Sequence, residues 1–125
     1  MEKKLIILVD DNPVNLRIGK FFLKEKFSVA TAPSAEKLFS LLENNHPSLI
    51  LLDIDMPDVD GYETIKMLRL RQKTKAIPVI FLTGMAKNLK DEEKGRALGA
   101  VDYIIKPFDP SRLIDCIENH IKECN

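Results

Sequence analysis

Residues 48–61 read SLILLDIDMPDVDG. Leu49, Ile50, Leu51 and Leu52 form an unbroken apolar run that stops at Asp53, and an acidic, proline-containing turn closes on Gly61. A strand with one wet face alternates apolar and polar side chains, whereas a run this short and continuous suits a strand covered on both faces. The same reading holds for 4–10 (KLIILVD), 77–83 (IPVIFLT) and 101–106 (VDYIIK). Residues 27–32 (FSVATA) are a shorter, alternating version.

Between these runs the apolar spacing turns helical. Residues 12–26 open on Asn12 as N-cap with Pro13 at the first helical position, and Leu16, Phe22 and Leu23 supply an apolar side. Residues 34–45 start on Ser34 and carry the stripe Ala35, Leu38, Leu41 and Leu42, while 60–73 place Ile65 and Leu68 on one side. Residues 88–98 are the weakest segment, mostly charged and with Gly95 inside. Asp109 caps 110–123, whose stripe is Leu113, Ile114, Ile117 and Ile121. Five alternations of strand and helix imply an α/β fold with a parallel sheet and right-handed crossovers. Five units are too few for an eight-fold barrel. The expectation is an open, doubly wound (βα)5 sheet with helices on both faces.

Nineteen basic and nineteen acidic side chains cancel over 125 residues. That balance disfavours a nucleic-acid binder working through bulk charge, and the basic stretch 66–75 (KMLRLRQKTK) reads as a solvated helix face. The longest apolar run, Leu5 to Val9, is far short of a membrane span, and no signal-peptide cleavage site follows it. A cytoplasmic protein is expected. Cys116 and Cys124 lie in one predicted helix, about 12 Å apart along its axis, beyond disulfide reach. Neither His46 nor His120 completes a metal-ligand spacing with them, so both read as ordinary reduced thiols. With no linker, repeat or low-complexity tract, residues 1–125 read as a single domain.

Open α/β sheets bind ligands beyond the carboxyl ends of their strands, where the strand order reverses. Those ends carry Asp10 and Asp11, Asp53 with Asp55 just beyond, Thr83, and Lys106. In an order 2-1-3-4-5 the first and third strands are neighbours, and Asp10, Asp11 and Asp53 meet. Three carboxylates in one hollow repel each other unless a cation intervenes. An oxygen-only donor set suits Mg2+. Lys106 and Thr83 can then contact the oxygens of a phosphoryl group accepted by Asp53.

The stretches ILVDDNPVN, LILLDIDMPDVDG, VIFLTG and DYIIKPF, in this order, resemble the receiver domain of bacterial two-component response regulators, from Leu5 to about Ile121. The resemblance implies the flavodoxin-like strand order 2-1-3-4-5. It implies Asp53 as phosphoacceptor, taking its phosphoryl group from a histidine kinase or phosphotransfer protein. It implies Mg2+ held by Asp11 directly, by Asp10 mostly through water, by Asp53 and by the backbone carbonyl of Asp55. Lys106 resembles the ammonium that contacts the phosphoryl group, Thr83 the hydroxyl that moves toward it, and Tyr103 the aromatic whose rotamer follows. Pro107 resembles a proline that follows a cis peptide bond. Gly61 is expected to ease a positive φ in the turn after Asp53. The implied readout surface is the fourth helix, fifth strand and fifth helix, acting on an output domain or protein, or on a second copy in a phosphorylation-dependent dimer. Neither direct nucleic-acid binding nor membrane binding is expected. Asp55 and Met85 occupy positions that tune dephosphorylation in the family.

Two other readings of DIDMPDVDG fail. A calcium loop starting at Asp53 would meet Pro57 at its fifth position and Asp58 where it needs glycine. A haloacid-dehalogenase-like phosphatase shares the Asp53/Asp55 pair but expects it after the first strand, together with a cap domain for which the chain has no room. A phosphate-independent binding module of the same fold is the remaining alternative. The chain is therefore expected to be a switch rather than an enzyme, either a stand-alone receiver or a domain of a longer regulator or hybrid kinase.

Overall fold

The computed structural model describes residues 3–84, 89–106 and 109–123. Strand and helix alternate through them: β1 (Leu5–Val9), α1 (Pro13–Leu23), β2 (Ser28–Ala32), α2 (Ala35–Leu42), β3 (Leu49–Asp53), α3 (Gly61–Leu70), β4 (Val79–Thr83), α4 (Leu89–Ala97), β5 (Asp102–Ile105) and α5 (Pro110–Glu123). The sheet is parallel throughout, in the order β2-β1-β3-β4-β5. The order reverses between β1 and β3, as expected. The expectations placed on Met85, Pro107 and Cys124 lie outside the described residues.

Successive side chains of a strand point to opposite faces. Ile7, Val9, Ile50, Leu52, Val79 and Phe81 pack with Leu38 and Leu42 of α2 and Ile65 and Leu68 of α3. Ile6, Leu8, Leu49, Leu51, Ile80 and Leu82 pack on the other face with Leu23 of α1 and Leu113, Ile117 and Ile121 of α5. β3 and β4 are buried along their whole length, which is the physical reason for their continuous apolar runs. β2 forms one edge of the sheet and is mostly half-buried, which accounts for its alternating sequence.

The predicted caps form. The side-chain oxygens of Asn12, Ser34 and Asp109 accept from the amides of Val14 (2.9 Å), Lys37 (3.1 Å) and Ser111 (3.1 Å), each satisfying an amide that the helix itself leaves unpaired. Asp60, not singled out from the sequence, caps α3 in the same way, accepting from the Glu63 amide at 2.9 Å. The first three helices end earlier than the spacing predicts, at Leu23, Leu42 and Leu70. After Leu23 the amides of Lys26 and Phe27 both turn back to the Leu23 carbonyl, at 3.1 and 2.9 Å, and this turn feeds the chain into β2. On α1, Leu23 is buried and Leu16 and Phe22 are partly so, while Val14, Ile18 and Phe21 lie exposed.

The basic stretch is not merely a solvated face. Arg69 donates to the carbonyls of Lys75, Ile77 and Gly99 at 3.1, 2.9 and 2.9 Å. Lys73 donates to the Glu43 carbonyl at 3.0 Å, and the Arg71 guanidinium lies 4.2 Å above the Phe39 ring. These cations tie α3 to its neighbours. Among the described residues no helix is long and apolar enough to cross a membrane.

Candidate functional site

The carboxyl ends of β1, β3, β4 and β5 converge on one edge of the sheet. Asp10 follows β1 and is buried. Its amide donates to the Ala32 carbonyl at 3.1 Å, and its Oδ1 accepts from the Asn12 amide at 2.9 Å. Asp53 ends β3 and is also buried. Lys106 Nζ lies between the two, 3.1 Å from Asp10 Oδ2 and 3.2 Å from Asp53 Oδ1. The Asp55 amide reaches the same Asp53 oxygen at 3.3 Å, while the Asp55 residue as a whole is exposed. Thr83, buried at the end of β4, accepts from the Lys106 amide through its carbonyl at 2.7 Å, which anchors the lysine backbone.

Asp10, Asp11 and Asp53 each offer a carboxylate oxygen, and these atoms lie within 4.8 Å of one another. Asp11 is the exposed member. Burial first, and then the Asp10 carboxylate, push the Asp53 carboxyl up to about 6, against the opposing pull of Lys106. Burial alone would lower the Lys106 ammonium. The Asp10 and Asp53 carboxylates outweigh it and hold the group above its ordinary value. This lysine pairs with two of the three grouped carboxylates, so the hollow is short of positive charge, and its all-oxygen donor set fits a hard cation such as Mg2+.

Gly61 is needed here for a reason other than the expected one. Its φ is not positive; among the described residues the left-handed positions are Asp58, at φ 68°, and Gly99, at φ 106°. A Cβ on Gly61 would stand 2.6 Å from the Asp53 carbonyl oxygen and 2.7 Å from Ile54 Cα. The glycine lets the start of α3 close against the end of β3, where its amide bonds the Ile54 carbonyl at 2.9 Å. The turn's strained backbone falls instead on Asp58, a residue type that tolerates it.

Gly95, read from sequence as a weakness in the fourth helix, also has a structural role. Tyr103 is half-buried and tilted against Phe81, ring centroids 5.6 Å apart, and Tyr62 meets Phe81 edge-on at 5.5 Å. A Cβ on Gly95 would collide with the Tyr103 hydroxyl and come within 3.0 Å of Phe81. The missing side chain thus makes room for the tyrosine under α4. Sequence reasoning missed this because β5 and α4 meet only in the folded sheet.

A sequence model of the response regulator receiver domain matches residues 6–118. The chain belongs to that family. A polar-differentiation response regulator of Brucella ovis is 32% identical, over 94% of this chain and 96% of its own length. A probable cyclic di-GMP phosphodiesterase of Vibrio cholerae is 38% identical over 94% of this chain, but the chain spans only 26% of that protein. Among solved structures, the receiver domain of a Pseudomonas aeruginosa sensor histidine kinase superposes with a TM-score of 0.85 at 28% identity, covering 96% of this chain and 98% of that one. That domain carries a magnesium ion coordinated in its active-site cleft. This chain is thus a receiver domain of two-component signalling, a class of phosphorylation-dependent switch, and the acidic hollow stands where such domains generally bind Mg2+.

Proposed function

We propose that Asp53 is the phosphoacceptor and that a histidine kinase or phosphotransfer protein is the donor. The observation that carries this reading is the position of Lys106 Nζ, within 3.2 Å of both Asp10 and Asp53 at the ligand-binding edge of the sheet. In the transfer, an Asp53 oxygen forms a bond to phosphorus as the donor's phosphorus–nitrogen bond breaks. The imidazole leaves with that electron pair. Asp11, Asp53 and the Asp55 carbonyl would hold Mg2+, with Asp10 reached through water. The ion would neutralise charge on the phosphoryl oxygens. Lys106 would leave its contact with Asp10 to pair a phosphoryl oxygen, and the Thr83 hydroxyl would donate to another. Tyr103 would follow Thr83 by turning further toward α4, altering the α4–β5–α5 surface read by the output partner.

The lysine contact ranks phosphoryl acceptance above the passive-module reading, because it supplies the charge an incoming phosphoryl group needs; the receiver family match over residues 6–118 ranks it above the phosphatase. The phosphodiesterase name above belongs to a protein nearly four times longer than the stretch aligned here. The present residues 1–125 are read as one non-enzymatic, cytoplasmic receiver unit without nucleic-acid contacts of its own, able to pair with a second copy once phosphorylated. The test is incubation with Mg2+ and a small acyl phosphate, followed by intact-mass measurement. A gain of one phosphoryl group, lost in Asp53→Ala, is expected. A gain that persists in Asp53→Ala overturns the assignment, and turnover of many phosphomonoesters per chain would favour the phosphatase.

A further inference from the structure

The cysteine and histidine of α5 look unrelated along the chain, yet the fold gives them a third partner. Cys116 and His120 stand four residues apart and so share one face of the helix. That face lies over the start of β5, where Asp102 projects. Cys116 Sγ and His120 Nε2 each lie 3.2 Å from the same oxygen, Asp102 Oδ2. All three residues are half-buried, and the three donor atoms lie within 4.8 Å of one another. We propose that Asp102, Cys116 and His120 form a second metal site, for a borderline divalent cation of the Zn2+ type.

The donor set selects the cation. Sulfur and imidazole nitrogen suit zinc-like ions and are poor ligands for Mg2+, so this site and the acidic hollow do not compete for the same metal. Donor atoms of a tetrahedral zinc site with bonds of about 2.0–2.3 Å lie about 3.3–3.8 Å apart. The two 3.2 Å contacts therefore need only a slight opening. The other oxygen of Asp102 accepts from the Tyr103 amide at 2.8 Å and lies 3.7 Å from the Arg96 guanidinium, which orients the carboxylate toward the helix. A groove of about 520 Å³, bordered by Asp109, Arg112, Asp115 and Asn119, opens the cluster to water, which can supply the fourth ligand.

In the metal-free protein the thiol proton fills the contact with Asp102. Burial, then that carboxylate, push the Cys116 thiol up to about 12. A bound cation takes the proton's place, and one proton leaves to solvent for each ion bound. The bound ion would cross-link α5 to the first residue of β5, next to Tyr103.

The test is a Co2+ titration of the reduced full chain in saturating Mg2+, so that the acidic hollow is filled. One equivalent of Co2+ should produce a near-ultraviolet thiolate-to-cobalt charge-transfer band and the visible bands of a four-coordinate ion, and Zn2+ should bleach both. Cys116→Ser should remove the charge-transfer band, while His120→Ala and Asp102→Asn should weaken binding at least tenfold. Cys124→Ser should retain the band. Circular dichroism of each variant checks that it is folded. No thiolate band in the folded wild-type chain overturns the proposal, as does a band lost in Cys124→Ser but kept in Cys116→Ser.

Discussion

Two groups of ligand-type side chains stand at the two ends of β5, and they are built on opposite principles. At its carboxyl end Lys106 lies against Asp10 and Asp53, buried, all oxygen and nitrogen, with carboxylates in excess. At its amino end Asp102 gathers Cys116 and His120, half-buried and chemically mixed. The first group is electrostatically unfinished: burial and Asp10 push the Asp53 carboxyl up to about 6. The second is internally satisfied. Tyr103, Cys116 and His120 outweigh a burial penalty and hold the Asp102 carboxyl below its ordinary value. An unfinished cluster calls for a cation or a phosphoryl group, whereas a satisfied one must exchange a proton to take a metal.

The contrast breaks most sharply through Asp53. Asp53→Asn should abolish phosphoryl uptake outright, read as no mass gain under conditions that saturate the wild-type chain. If uptake survives, the carboxyl end of β5 has no special status. Gly61→Ala comes next. Its Cβ meets the backbone of Asp53 and Ile54, which cannot step aside as a side chain can, so a loss of about 2–3 kcal/mol is expected in urea denaturation. Loss of phosphoryl uptake in chains that remain folded would sharpen the point that this glycine positions Asp53.

The third prediction tests the charge imbalance itself. The folded Asp53 value of about 6 lies above the ordinary 3.8, so the native state holds the proton between those limits. The stability carried by the protonated form is full below about pH 4 and is lost as pH rises through about 6. Asp53→Asn should therefore stabilise the Mg2+-free chain at pH 8 by on the order of 2 kcal/mol, and the gain should vanish below pH 4. Equal stability of the two chains at pH 8 would mean that the hollow is not strained. The smallest effect on stability belongs to Gly95→Ala, which gains helix propensity of about 1 kcal/mol but crowds Tyr103. A net change under about 1 kcal/mol is expected, together with a shifted Tyr103 ring resonance. An unmoved resonance would show that the space under α4 does not control the tyrosine.

These two ends of β5 also differ in how far they could be read in advance. Asp10, Asp11, Asp53 and Lys106 follow apolar runs, and the carboxyl ends of parallel strands meet at one edge; the acidic hollow was therefore legible once the runs were recognised as strands and the family resemblance supplied the order that makes the first and third strands neighbours. Thr83 sits at that edge as expected, and the caps on Asn12, Ser34 and Asp109 form as their residue types require. Helix ends were less legible, because the turn after Leu23 depends on where β2 must begin. Gly61 was found for the wrong reason: a short-range rule about φ stood in for a backbone contact eight residues away.

By itself the sequence determined the alternation of five strands and helices, the double burial of β3 and β4, and the acids at the strand ends. Those features depend on local periodicity and on chain direction, both written in the order of residues. Tertiary structure alone decided that Gly95 makes room for Tyr103, that Arg69 binds carbonyls from three separate residues, and that Asp102 meets Cys116 and His120. Each of these joins elements by a contact whose spacing along the chain has no period. Only the packing of the helices α3, α4 and α5 against the sheet and its connecting loops brings such residues within bonding distance.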